Sequence, residues 1–472
     1  MTTAPHSPRI AIIGGGISGL AAAHRLIELL PRAKLSLFEA SNRLGGVLET
    51  IERDGFLIER SADNFLTAPP AALELCRRLG MENDLVPTDE SRRRAFVVRN
   101  GKLLPIPEGF FLMSPRKLLP VLRSPLLSLW GKLRLLAEPL VPRGPMALSK
   151  ENPPPDESVA SFARRRLGRE IFERLVQPLV AGIYTADPEK LSMAATMPQF
   201  AEFERRYSSL LHATLQRAAT DHSTSGARYG LFLAPKHGMQ SLVAKLVSRL
   251  PHDAIYLHTN VTRVDRRDRQ WHLAFNPQSA YDALIIAVPA YAAAKLLETA
   301  NAALVAELAT IEYAGCAVVS LGFHRSQIGH ALDGFGFVVP QTENLKIIAG
   351  SFASLKYPGR APESDVLIRV FIGGALQPEL VNLPDADLRR IALDELAQLL
   401  QITGTPITMD IARWPRSMPQ YHVGHLERVA RIDQLTAAYP TLALAGNAYC
   451  GVGIPQCIAS AEAAAEQIAN GI

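Results

Sequence analysis

Ile10-Ala-Ile-Ile-Gly-Gly-Gly-Ile-Ser-Gly19 reads as a buried strand running into a glycine turn from which a helix starts. Gly14, Gly16 and Gly19 have GxGxxG spacing, and Glu39 follows twenty residues after Gly19, at the end of a second strand. This is the pattern of a dinucleotide clamp. The turn and helix N-terminus would face a pyrophosphate, and the acid would face an adenosine ribose. A carboxylate there argues against a 2′-phosphate. The pattern predicts strands over 9–14 and 34–39. It predicts a helix over Ile17–Leu30, with Leu20, Ala23, Leu26 and Ile27 on one side.

Two more glycine segments extend the clamp. Arg43-Leu-Gly-Gly46 brings backbone back to the cofactor edge, where Gly45 and Gly46 allow close approach to a ligand. Near the C-terminus, the strand Leu442-Ala-Leu-Ala-Gly446 is followed by Gly451, Gly453 and Pro455, then by a helix of small residues through Ile468. That places another helix N-terminus near the cofactor. An isolated unit for a diffusing nicotinamide would not require both segments, so a long, largely buried FAD is the expected cofactor. Gly14, Gly16, Ile17, Ser18, Gly19, Glu39, Ala40, Arg43, Gly45 and Gly46 are the residues expected to hold it.

The 472 residues suffice for two or three domains. A composition 48% hydrophobic and 20% charged fits a folded enzyme rather than a disordered chain. The net charge of +5 favours anionic partners, but no long Lys/Arg tract or basic zinc module supports nucleic-acid binding. Cys76, Cys316, Cys450 and Cys457 form no CxxC, which argues against a disulfide scaffold or a structural zinc, and no metal is expected. No secretory signal precedes the first strand, and no clean apolar run reaches about 18 residues. A cytoplasmic protein without a spanning helix is the expectation.

Along the chain, Gly55 predicts a turn before the strand Phe56–Glu59, and Pro69–Leu79 a helix ending at Gly80. Residues 92–107 predict a hairpin around Asn100-Gly101. Pro115–Leu140 sets many leucines and Trp130 among Lys117, Arg123, Lys132 and Arg134, with prolines breaking it into short amphipathic helices. Such a surface suits either a lipid interface or a helical lid packed on the rest of the protein. Asn152-Pro-Pro-Pro-Asp156 is a stiff linker. Helices follow over 158–180, with Arg164-Arg165-Arg166 read as a solvated face. A loop and helix over 230–250 lead to short strands at Ile255–Leu257, Val261–Val264, Trp271–Phe275 and Tyr281–Val288. Cys316–Phe371 is strand-rich, and Leu388–Leu400 is helical.

No Ser-His-Asp or Cys-His set, HExxH or Walker lysine stands out. That fits flavin chemistry, in which the isoalloxazine accepts the hydride and the protein orients the substrate.

Longer motifs narrow the reading. Ala62-Asp63-Asn64-Phe65, the stretch Val180–Met193, Tyr357-Pro-Gly-Arg360, Phe371-Ile-Gly-Gly374, the stretch Trp414–Tyr421 and the stretch Gly446–Pro455 together resemble the oxygen-dependent protoporphyrinogen oxidases of bacteria and organelles. These belong to the wider monoamine-oxidase-like flavoprotein superfamily, and the resemblance spans essentially the whole chain. It implies an α/β fold with a discontinuous Rossmann-like FAD-binding domain, placed at 1–85, 230–300 and 405–472. It implies a mostly helical, membrane-associated domain at 90–205 and a mixed-sheet substrate domain at 206–229 and 301–404.

The implied activity is six-electron oxidation of protoporphyrinogen IX in three flavin cycles, with O₂ as acceptor and H₂O₂ as by-product. Members that oxidise coproporphyrinogen III are the first alternative. A flavin amine oxidase or desaturase, and a non-enzymatic flavin module, are the others. Implied partners are the porphyrinogen, O₂, an anionic membrane surface on the cytoplasmic side and a ferrochelatase; a homo-oligomer is left open. By resemblance Asn64 is the active-site asparagine, and Arg94 pairs with a substrate propionate. Ile183, Tyr184, Phe352 and Ile372 would wall the pyrrole faces, and Val261 would contact the adenine side of FAD. Gly446, Tyr449, Gly453 and Ile454 would line the flavin ring.

Overall fold

The computed structural model describes residues 7–149, 154–220, 232–274 and 280–472. Asn152 and Pro153 of the linker, residues 221–229 of the predicted 206–229 segment, 230–231 and Phe275 lie outside them.

The glycine turn is built as read. β1 (Arg9–Ile13) pairs in parallel with β2 (Lys34–Phe38), and α1 (Ile17–Leu29) joins them. These are the centre of a five-stranded parallel sheet, in the order Ile255–Tyr256, β2, β1, Ala283–Ile286 and Leu442–Leu444. Segments far apart in sequence thus build one discontinuous Rossmann-like sheet. Its strands are apolar on both faces because both are covered. Ile10, Ile12, Leu35 and Leu37 pack with α1 and the C-terminal helix Ile454–Gly471. Ala11, Ile13, Leu284 and Ile286 pack with Trp271 and the helices Ala290–Leu296 and His425–Ala437.

A separate seven-stranded mixed sheet runs in the order Thr408–Pro419, Tyr313–His324, Asp365–Gly373, Ile347–Phe352, Gly336–Val338, Phe96–Arg99 and Lys102–Pro105. Its neighbours are antiparallel except Gly336–Val338 against Phe96–Arg99. One face packs on the helix Asp385–Leu400. The predicted Asn100-Gly101 hairpin is present, with both residues at positive φ, and it adds two strands to this sheet from within 90–205. The strand Thr408–Pro419, inside 405–472, forms its other edge.

Short helices between Leu118 and Thr220 surround their own core, which includes Phe162, Phe172, Leu175, Met193 and Phe200. No helix among the described residues is long and apolar enough to cross a membrane. The solvated reading of Arg164–Arg166 holds for the exposed Arg164 and is corrected for the other two. Arg166 is fully buried between Glu138 and Glu204, which are also fully buried, and Arg165 bridges Glu157 and Glu204. The charges are balanced by acids 28 and 38 residues away, so the run alone did not show it. The segment Val261–Val264 is likewise not a strand until Val264.

Candidate cofactor and substrate site

At the end of β1, Gly14 takes φ +108° and Gly16 caps α1 with no side-chain partner. A Cβ on Gly19 would lie 1.8 Å from the Gly14 carbonyl oxygen, so the helix can approach the turn only with glycine there. Gly16 differs. Its backbone is extended, and the nearest atom to an added Cβ is 3.9 Å away. The protein's own packing does not require glycine at 16; a ligand lying over the turn would. Ile17 and Ser18 are buried in the first turn, where Ser18 Oγ donates to the Cys457 carbonyl of the C-terminal helix.

Glu39 sits half-buried beyond β2. One carboxylate oxygen accepts the Gly15 N–H and the other the Ser41 N–H, each at 2.8 Å. It is thus held in place with lone pairs left over for a ribose diol. Ala40 is exposed beside it. Gly45 bridges back to the turn through its N–H to the Gly15 carbonyl at 2.8 Å. Arg43 caps the carbonyls of Leu44, Gly46 and Leu48 and pairs with Glu49, so its guanidinium holds this loop. After Tyr256 the chain runs beside Glu39, with the Thr259 N–H on the Glu39 carbonyl, and Val261 is buried next along.

On the other side of α1, Gly446 has φ +131° and open space where a Cβ would be. Gly453 caps the helix Ile454–Gly471, again without a side-chain partner, and Ile454 is buried. Two long helices thus present uncapped N-termini on one side of the parallel sheet. In the chain between Gly446 and Gly453, the Tyr449 ring is buried with Ile432 and Ala448. The clamp's geometry fits FAD: an anion cradle at α1, an anchored acid for ribose and an open glycine at 446.

Asn64 follows a strongly charged cluster. Its amide donates to Asp63, whose carboxylate lies 3.3 Å from Lys356 Nζ and 3.5 Å from Arg369 Nη1. Arg369, buried in the strand Asp365–Gly373, also donates to the Ser61 carbonyl. Burial pushes the Asp63 pKa up, but Lys356 and Arg369 outweigh it and hold the carboxyl below its ordinary range. Burial outweighs the pull of Asp63 on Lys356 and leaves its ammonium below the ordinary lysine range.

The substrate-side expectations separate by strand parity. Phe352 and Ile372 are fully buried against the helix Asp385–Leu400, so their assignment as pocket walls is corrected. Residues one position away face the opposite side. Arg369 pairs with Ser351 and Ser320, and Phe371 with Ala349 and Val318. Phe371 is partly exposed, 5.5 Å from the Arg369 guanidinium carbon. Arg369 inside an apolar run marks the polar parity of this strand. The helix Gln177–Tyr184 crosses this same face at Gly182, where a Cβ would meet Val338 at 3.2 Å and Ala349 at 4.0 Å. Ile183 is exposed, and Tyr184 Oη donates to the Thr196 carbonyl. Phe371 therefore lies between the Asn64 segment and this helix. Arg94 lies apart from the cluster, its guanidinium taken up by Asp333 on the surface.

The chain is similar to known proteins over nearly its whole length. The family profile described as flavin containing amine oxidoreductase matches residues 17–469. The coproporphyrinogen III oxidase of Bacillus subtilis (strain 168) is 34% identical over 464 residues, 96% of each chain. The chloroplastic protoporphyrinogen oxidase of Nicotiana tabacum is 29% identical over 491 residues, 97% of this chain and 84% of that protein. A crystal structure from Exiguobacterium sp. 255-15, described provisionally as a protoporphyrinogen oxidase, superposes with TM-score 0.87 at 31% identity, covering 98% of this chain and 99% of that one.

Proposed function

Because this chain belongs to the flavin-containing amine oxidoreductase family, and is thereby an FAD-dependent oxidoreductase, we propose that it oxidises a porphyrinogen with O₂ as acceptor. The observation that carries this reading is end-to-end similarity to a porphyrinogen oxidase at 34% identity. Coproporphyrinogen III is the first substrate proposed, because the Bacillus subtilis relative matches at higher identity, and over more of its own length, than the tobacco protoporphyrinogen oxidase. This reverses the order expected from the resemblance; protoporphyrinogen IX is the second reading, favoured by the description of the Exiguobacterium structure. The basic residues that could meet extra propionates do not decide the matter. Arg92, Arg93, Arg94, Arg164, Arg165, Arg166 and Lys356 each already face an acid.

When bound, FAD supplies the two-electron acceptor of each round and returns the electrons to O₂. The chain's residues do the rest. The α1 N-terminus and Gly16 would hold the pyrophosphate, and Glu39 the ribose. Phe371 offers an aromatic face to a pyrrole, with Ile183 and Tyr184 across from it. Asn64 meets the macrocycle at its N–H groups, and the released protons pass to solvent. Arg94 reaches a propionate by exchanging it for the Asp333 carboxylate.

One helix face also fits a lipid surface. Leu129, Trp130, Leu133 and Leu136 are exposed at 77%, 81%, 55% and 46%, and Leu140 at 84%, with Arg123 and Lys132 beside them. An apolar stripe flanked by cations suits peripheral attachment to an anionic membrane. The cytoplasmic side of that membrane and hand-over to a ferrochelatase rest on the resemblance alone.

The test is aerobic turnover of each porphyrinogen, read by porphyrin fluorescence, O₂ uptake and H₂O₂. Porphyrin formation with about three O₂ consumed per macrocycle supports the proposal. Turnover of amines or polyenes, with both porphyrinogens untouched, overturns it.

A further inference from the structure

The charged cluster beside Asn64 determines how that side chain can be used. Asp63 lies within 3.5 Å of two cations, Lys356 on the short helix Ala353–Lys356 and Arg369 on the central strand. Both the Asp63 and Lys356 side chains are about 15% exposed, so water screens them poorly. A carboxylate in that setting stays ionised and is an acceptor only. The Asn64 amide must then turn its NH₂ toward Asp63, since its oxygen would meet a like-charged acceptor. The usual ambiguity of an amide's orientation is thereby removed by chemistry. Asn64 Oδ1 is left as the outward group, and no donor among the described residues reaches it.

We propose that Asp63, clamped by Lys356 and Arg369, is a positioning residue that fixes the Asn64 amide as a hydrogen-bond acceptor for a pyrrole N–H. This rests on the porphyrinogen reading and deepens it. A porphyrinogen carries an N–H on every pyrrole, whereas the aromatic porphyrin carries N–H on only half of them. A fixed acceptor therefore binds the reduced macrocycle in every rotational setting and meets a lone pair in half the settings of the product. It favours substrate and assists product release, with no bond made or broken at Asn64.

The test uses the FAD-loaded enzyme with Asp63→Asn, Asn64→Ala and the double variant. An asparagine at 63 can donate or accept, so the Asn64 amide is released to turn its NH₂ outward. Asp63→Asn is expected to lower kcat about tenfold and to tighten binding of the product porphyrin several-fold, the size of one hydrogen bond. Porphyrin binding is read by quenching of its fluorescence on the oxidised enzyme, independently of turnover. FAD absorbance and melting temperature report whether each variant is folded. In the Asn64→Ala background both effects of Asp63→Asn should vanish. The proposal is overturned if Asp63→Asn changes neither quantity, or if its effects persist undiminished in that background, which would mark a purely structural role. A wild-type enzyme that oxidises no porphyrinogen removes the functional reading and this inference together. Active wild type with unresponsive Asp63→Asn removes the inference alone.

Discussion

The ring of Tyr421 stacks on that of His425, with centroids 3.9 Å apart and planes 13° from parallel. This pair joins the three parts of the molecule. Tyr421 Oη donates to the Asn447 carbonyl and accepts the Gly451 N–H, both in the glycine-rich loop expected beside the flavin. The Tyr421 carbonyl accepts the Ser192 N–H from the helical part. His425 Nε2 bonds the Tyr449 carbonyl, and Tyr421 itself follows the last strand of the mixed sheet.

His425 makes this junction sensitive to acid. Burial, chiefly, pushes its pKa down from 6.5 to about 4. A group whose pKa is lowered by folding stabilises the fold in its neutral form. That contribution is complete above pH 6.5 and is lost as the pH falls toward 4, up to about 3 kcal/mol for this one side chain. Urea unfolding of His425→Gln is expected to show a flatter pH dependence than wild type over this window. Identical slopes would remove His425 as the cause.

Gly16 and Gly19 should fail differently. Gly16→Ala is expected to leave apoprotein stability within about 1 kcal/mol, because the space is open, while weakening FAD at least tenfold or so. Gly19→Ala forces the helix off the turn and should lower the apoprotein melting temperature as well. FAD titration and thermal unfolding of both variants check this; normal FAD affinity in Gly16→Ala would put the pyrophosphate elsewhere.

Strand parity gives a paired expectation for neighbouring positions on the mixed sheet. Phe352→Ala opens a cavity under the helix Asp385–Leu400 and should cost about 3–5 kcal/mol of stability. Phe371→Ala should cost much less and instead raise the porphyrinogen KM about tenfold, with FAD retained. Unfolding and steady-state kinetics on the two variants separate them, and an unchanged KM for Phe371→Ala would clear that face of substrate.

Trp130→Ser together with Leu133→Ser should abolish flotation with liposomes containing anionic lipid and leave turnover of solubilised substrate unchanged. Wild type that does not float would make the exposed stripe something other than a lipid contact.

The clamp was legible because its information is local. Glycine spacing encodes positive φ and close approach, and Glu39 ends the strand that the spacing predicts. Asn100-Gly101 carried its hairpin for the same reason. What was lost depended on distant partners. Arg166 reads as a solvated charge until Glu138 and Glu204 arrive from other helices. The parity of Val366–Ile372 is hidden because both faces are apolar apart from Arg369, so the sequence did not show that Ile372 faces the helix Asp385–Leu400. Arg94 was assigned to a propionate, and its partner in the fold, Asp333, lies 239 residues away.

The central claim is tested most directly by mixing the oxidised holoenzyme anaerobically with each porphyrinogen and following the visible flavin bands. The account expects coproporphyrinogen III to bleach them, with a second-order rate exceeding that of protoporphyrinogen IX. Flavin that stays oxidised with both macrocycles, yet is reduced by an amine, would contradict it.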